Sequence, residues 1–293
     1  MGERIRKSLE RWPKSWRKES KQNVNCGARP FFPAYFCENR DMRLRTFALL
    51  GCISLVGSSV WAQTINSIST TVSPGSLISI FGSGLAAGLS VANSVPLSTA
   101  LSDVSSVTIN GMAAPLMSVS DGQITAQVPW EVVPGPANVI VNRSASSSQP
   151  TPLQVNAFAP ALIALNLGTL QALATNADGT ITAVTGPLPG FNAHPATVGD
   201  TITFYATGLG TVDPPPFDGA NSSDTTRQTT STPTVQIGGV MAQVSFSGLS
   251  PQFVGIYQLS VVVPGGVTTG SAVPVQVQTA DGSNANPVTI ALQ

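Results

Sequence analysis

Beyond residue 63, apolar and polar side chains alternate with a period of two. Ile202, Phe204 and Ala206 fall on one side of an extended segment, with Thr201, Thr203 and Tyr205 on the other, and earlier Ile78 and Ile80 alternate with Leu77, Ser79 and Phe81. Half-buried antiparallel strands need this spacing, because successive side chains point to opposite faces of a sheet. The segments Val107 and Ile109, Ala114 and Leu116, Ile124, Ala126 and Val128, Val139 and Val141, and Leu153 and Val155 continue the pattern. No stretch of ten or more residues after position 63 carries a helical apolar stripe. Short strands every 8–12 residues, punctuated by Gly, Pro, Asn and Ser, predict an all-β chain of sandwich type.

The pattern occurs twice. PGSLISIFGSGL at 74–85 is answered by VGDTITFYATGL at 198–209, and Val107, Ile109 and Asn110-Gly111 by Val235, Ile237 and Gly238-Gly239. Both dipeptides tolerate the successive positive φ values of a two-residue hairpin. Ala242, Val244 and Phe246 then answer Ala114 and Leu116. Leu259, Val261 and Val263 before Pro264 answer Ile124, Ala126 and Val128 before Pro129, where proline ends each strand. Val273, Val275, Val277, Val288 and Ile290 complete the second copy. A repeated strand series predicts two like domains, 63–158 and 159–293. The second contains an insertion at 160–195 whose short strand-like pieces are placed to bridge the domains.

The order SLISIFGSGL, VTINGMAAPLMSVSDGQITAQVP and a valine-rich strand resembles the immunoglobulin-like IPT/TIG domain. The tandem, with ATGLGTVDP, VQIGGVMAQVSFSGL and GIYQLSVVVPGGV, is similar to an uncharacterised C-terminal-domain family of secreted soil-bacterial proteins. The resemblance covers about residues 66–293 and implies two tandem immunoglobulin-like β-sandwiches in an extracellular setting. It implies no activity, since such modules occur in receptors, transcription factors and polysaccharide-degrading enzymes.

Upstream, Arg43 and Arg45 precede an apolar run from Phe47 to Val56 and the small residues that end at Ala62. A basic start, a short apolar run and small residues mark 42–62 as a secretory signal peptide with cleavage after Ala62. Counted on through Ser58 and Ser59 the run reaches about 15 residues, short of the ~20 that a permanent span needs. Leu49 to Cys52 also resembles a lipobox, so lipidation at Cys52 stands as the competing reading. Residues 1–41 show no sustained alternation and read as a misassigned or disordered extension ahead of a start at Met42.

Charge changes the picture once those residues are set aside. Residues 63–293 hold Arg143, Arg227 and no lysine against nine carboxylates, a net charge near −7. Two scattered arginines cannot neutralise a run of phosphates, which excludes nucleic acid as a partner. Cys26, Cys37 and Cys52 all precede the cleavage point, so the domains are expected to hold together by core burial without disulfides.

Candidate chemistry is sought where the copies differ. The lone His194 is placed to pair with Asp200 as a base, but no GxSxG elbow supplies a nucleophile, so no catalytic residue is assigned. Asp213, Asp218 and Asp224 lie close enough in sequence to surround one calcium ion, although their spacing fits no established calcium loop and also suits an ordinary surface turn. Trp130 follows Pro129 where the second copy has Gly265; it is read as a contact for glycan or protein, or as packing between the domains. Phe191 and Phe217 raise the same question in loops. Gln123 and Gln258 occupy matching positions and read as buried amides. The long loops 86–105 and 210–233 are the expected binding end. The reading is a secreted, non-catalytic adhesion or recognition module for an unknown extracellular protein or polysaccharide. The alternatives are a structural spacer or a carbohydrate-binding accessory protein.

Overall fold

The computed structural model describes residues 63–293 except 70, 145, 167–169 and 185–189. The signal and lipidation readings, and all three cysteines, lie outside those residues. Among the described residues there are only strands, turns and loops. No helix there is long and apolar enough to cross a membrane.

In the first half the strands are β1 (Thr64–Ile68), β2 (Leu77–Ser83), β3 (Ser90–Val91), β4 (Val104–Ile109) and β5 (Met112–Ala114). They are followed by β6 (Leu116–Val119), β7 (Gln123–Gln127), β8 (Gly135–Arg143), β9 (Ser146–Ser147) and β10 (Thr151–Val155). One sheet runs β1-β2-β7-β6-β3 and the other β10-β8-β4-β5. The alternation in β2 is the reason they face each other: Ile78 and Ile80 are buried, and they meet Val107, Ile109, Val139 and Val141 from the opposite sheet in one apolar cluster. Asn110 and Gly111 take φ of 50° and 83° at the β4–β5 hairpin, the backbone that an Asn-Gly pair permits.

The second half begins with short strands: β11 (Ala161–Leu162), β12 (Ala164–Asn166), β13 (Leu170–Ala172), β14 (Ala174–Thr175), β15 (Ile181–Thr182) and β16 (Ala193–His194). Then come β17 (Thr201–Thr207), β18 (Val212–Asp213), β19 (Gln228–Thr229), β20 (Thr234–Ile237) and β21 (Val240–Leu249). The series closes with β22 (Tyr257–Val262), β23 (Gly270–Gln278) and β24 (Val288–Leu292). Its core gathers Ile202, Phe204, Val235, Ile237, Tyr257, Leu259, Val275 and Ile290.

One difference between the halves is the course of a strand. β21 pairs with β20 through Val240–Ala242 and then with β22 from Gln243 onward, so a single strand passes from one sheet into the other. In the first half the matching stretch is cut by Pro115 into β5 and β6, because proline offers no N–H to continue a ladder. Both copies shift register just after this point, between Leu116 and Ser118 and between Val244 and Phe246.

Among the described residues, the strands from 160 to 195 pair with the second half and not with the first. β11 and β14 pair with β17, and β13 pairs with β24, so among the described residues they extend the second sandwich alone. Their short apolar runs find unpaired backbone at its edges, which satisfies their polar groups locally.

Candidate functional site

The loops singled out as a free binding end turn toward the junction of the two halves. Leu97 N–H donates to the Gly219 carbonyl at 2.8 Å, Ala92 N–H to Met117, and Leu116 N–H to Ser98. Long connections carry many backbone groups, and several of these are paired here, loop to loop and loop to strand. The Gly219 N–H donates to Gln127 Oε1 at 2.7 Å, and Gln127 Nε2 reaches the Gly75 carbonyl at 3.2 Å.

The buried amide is therefore Gln127, which is fully buried, and not Gln123 or Gln258. Gln123 lies exposed, with its amide near Ser79 Oγ, and Gln258 sits on the outer face of β22. Strand alternation explains the error: residues matched between the copies on an outer face need no internal partner. Gln127 is matched by Val262 and answers to the junction, which only one copy of each element can form.

Trp130 belongs to the same seam. Its ring lies so close to Gly75 that a Cβ there would sit 2.2 Å from it, and it packs against the second core. Its backbone N–H donates to Asp218 Oδ1 at 2.9 Å. Asp218 thus tethers the second half to Trp130, while the other two aspartates lead elsewhere. Asp224 holds Arg227 through two contacts of 2.6 and 3.0 Å, and Asp213 lies in β18. The Arg227 guanidinium holds the Asp224 carboxyl down at about 2. Among the described residues no three His, Cys, Asp or Glu side chains gather to hold a metal ion. Phe217 is 85% exposed beside this seam.

Burial pushes the Asp218 carboxyl above its ordinary range, and the neighbouring Glu131 carboxylate adds to the rise. A folded pKa above the unfolded one means that protonation favours the folded seam. This stabilisation is complete below about pH 3.8 and fades as pH rises through the folded value. Asp218→Asn keeps an acceptor for Trp130 and removes the titration. We expect the wild type to gain stability relative to this variant as pH falls from 7 toward 4, measured by urea unfolding at each pH. A constant difference would show that Asp218 does not titrate in the seam.

His194 pairs with Asp178 rather than Asp200. Its Nε2 lies 3.1 Å from Asp178 Oδ2 and its Nδ1 2.8 Å from the Pro195 carbonyl, while Asp200 accepts from Thr197. The Pro195 carbonyl, then the Asp178 carboxylate, raise the imidazole above its usual value. With an acceptor at each ring nitrogen, the pair forms a surface ion contact and presents no base to a nucleophile.

The third aromatic candidate, Phe191, leads to a different surface. On the outer face of β17, Tyr205 meets Phe253 edge-on, with ring centres 6.5 Å apart and planes at 80°. Ile163, Leu173, Ile181 and Phe191 complete a groove of about 400 Å³, with Thr175, Gln252 and the Tyr205 phenol as its polar side chains. Phe191 and Phe253 remain 64% and 51% exposed. The loop from Ser250 to Ile256 forms one wall and also borders a second hollow of about 520 Å³ against Leu77, Val95 and Met117 of the first half. Sequence reasoning passed over Phe253. The signal was a length difference: three residues, Ser120 to Gly122, join β6 to β7, whereas seven, Ser250 to Ile256, join β21 to β22.

Taken together, these features define a tandem of immunoglobulin-like β-sandwiches with one open aromatic groove. Residues 64–155, the first sandwich, match the family model of the IPT/TIG domain. No curated protein matches the chain. Among solved structures, it is similar to the Bacteroides ovatus mixed-linkage glucan utilization locus protein SGBP-B, solved with a mixed-linkage heptasaccharide. The two share 13% identity and a TM-score of 0.33, over 76% of this chain and 44% of that one. Domains 5-6 of the S-layer protein SbsC share 10% identity and a TM-score of 0.26, over 77% and 95%. The Yersinia pseudotuberculosis adhesin InvE shares 14% and 0.20, over 78% and 58%. This chain spans less than half the length of the glucan-locus protein, and likeness at this level carries no functional conclusion.

Proposed function

We propose that this protein is a secreted, non-catalytic recognition module that uses the outer face of its second sandwich to hold material outside the cell. The observation that carries this reading is the cluster of Tyr205, Phe253 and Phe191 on a sheet face where solvent-facing strands ordinarily place polar groups. Tyr205 has a counterpart in Phe81, but the walls around it come from the short strands and the longer loop that the first half lacks. Export is supported by the residue pattern at 42–62. The tight seam favours a second reading, a rigid spacer, because hydrogen bonds through Gln127, Leu97 and Asp218 fix one half against the other.

The two readings separate on a retention assay with cell-envelope material, immobilised extracellular protein and polysaccharide. Phe191→Ala combined with Phe253→Ala is expected to abolish retention while the melting temperature stays within about 2 °C, since exposed side chains contribute little to stability. Equal retention of wild type and variant would leave the spacer as the better account.

A further inference from the structure

We infer that the occupant of the aromatic groove is an uncharged carbohydrate chain, held by stacking on Phe253, Phe191 and Tyr205 and oriented by the Gln252 amide and the Thr175 and Tyr205 hydroxyls. This inference rests on the recognition reading given above and narrows it to one class of ligand.

Charge sets the first limit. Among the described residues only Arg143, Arg227 and His194 can carry positive side-chain charge, and each is committed to an aspartate: Asp103 at 2.7 Å, Asp224 at 2.6 Å and Asp178 at 3.1 Å. The groove lining contains no acidic or basic side chain. An anionic ligand, whether acidic polysaccharide, phosphate or nucleic acid, would meet a net charge near −7 across residues 63–293 and, among the described residues, no positive side chain that is not already paired. A cationic ligand would lack a carboxylate inside the groove.

Backbone pairing sets the second limit. An extended peptide gains affinity by adding to a sheet edge, where N–H and C=O groups are open. The groove floor is a sheet face: β17 is paired to β22 on one side and to β11 and β14 on the other. An occupant of the floor must therefore be recognised by side chains rather than by strand addition. Exposed rings joined to neutral hydrogen-bonding groups fit a pyranose, whose C–H face packs against an aromatic ring while its hydroxyls exchange hydrogen bonds around the rim. The groove's volume of about 400 Å³ lies inside the ~300–1,000 Å³ range of small-ligand sites.

The test is a binding panel with the purified protein on three sets of probes: cellulose, starch and a β-1,3-glucan; alginate and polygalacturonate; and immobilised collagen. The inference expects binding to at least one neutral glycan that is unchanged in 1 M NaCl. Phe253→Ala and Phe191→Ala should each weaken it about tenfold. Gln252→Ala should weaken it further, and Phe217→Ala, outside the groove, should leave it intact. Binding of collagen alone, lost in Phe253→Ala, would overturn the carbohydrate assignment and keep the recognition reading. Salt-sensitive binding confined to the acidic glycans would overturn it through the charge reasoning. Absence of binding to every probe and to envelope material would overturn both.

Discussion

Phe204→Ala is expected to destabilise the second sandwich by about 3–5 kcal/mol, the range for emptying a large aromatic site in a packed core. Phe204 is fully buried between the two sheets, in contact with the cluster that includes Ile237, Leu259 and Ile290. Its counterpart in the repeat is Ile80, also fully buried, and Ile80→Ala should cost about 2–5 kcal/mol in the first sandwich. Urea unfolding followed by far-UV circular dichroism and by tryptophan fluorescence checks both. A loss below about 1 kcal/mol for Phe204→Ala would mean that the facing sheets do not share the core described here.

Gly219→Val should act on a different quantity, the coupling between the halves. Gly219 has φ of 74°, and a Cβ there would lie 2.6 Å from the Leu97 carbonyl oxygen and 2.9 Å from its nitrogen, both backbone atoms that cannot rotate away. The displaced loop would lose the Leu97 N–H bond to Gly219 and the Gly219 N–H bond to Gln127 together. We expect a loss of about 2–3 kcal/mol and the separation of one unfolding transition into two. Trp130, wedged between Gly75 and the second core, reports the seam directly. A single transition with an unchanged midpoint would show that the seam contributes little.

Much of the architecture was legible because burial writes itself into the chain with a period of two. The faces of β2 and β17, the Asn-Gly and Gly-Gly hairpins and the prolines after β7 and β22 all follow from local rules. The seam was not legible, since it depends on Gln127, Leu97 and Gly219, which lie far apart in sequence and have no common period. Asp218 illustrates the same limit: an aspartate in a Pro-, Gly- and Asn-rich loop reads as a turn or an ion ligand, and only the fold brings it to the Trp130 N–H. Phe191 was visible as an exposed candidate in a loop. Its partners Tyr205 and Phe253 were not, because one passes for an ordinary strand residue and the other hides in a loop whose added length is noticed only when the repeats are aligned.

The passage of β21 between sheets bears on how each half comes apart. In the second half, fraying of one face removes hydrogen bonds from a strand that the other face also uses, so the two faces share their fate. In the first half Pro115 interrupts that continuity, and β5 and β6 each keep to one sheet. The half that carries the aromatic groove is thus the half whose two faces are joined through one continuous strand.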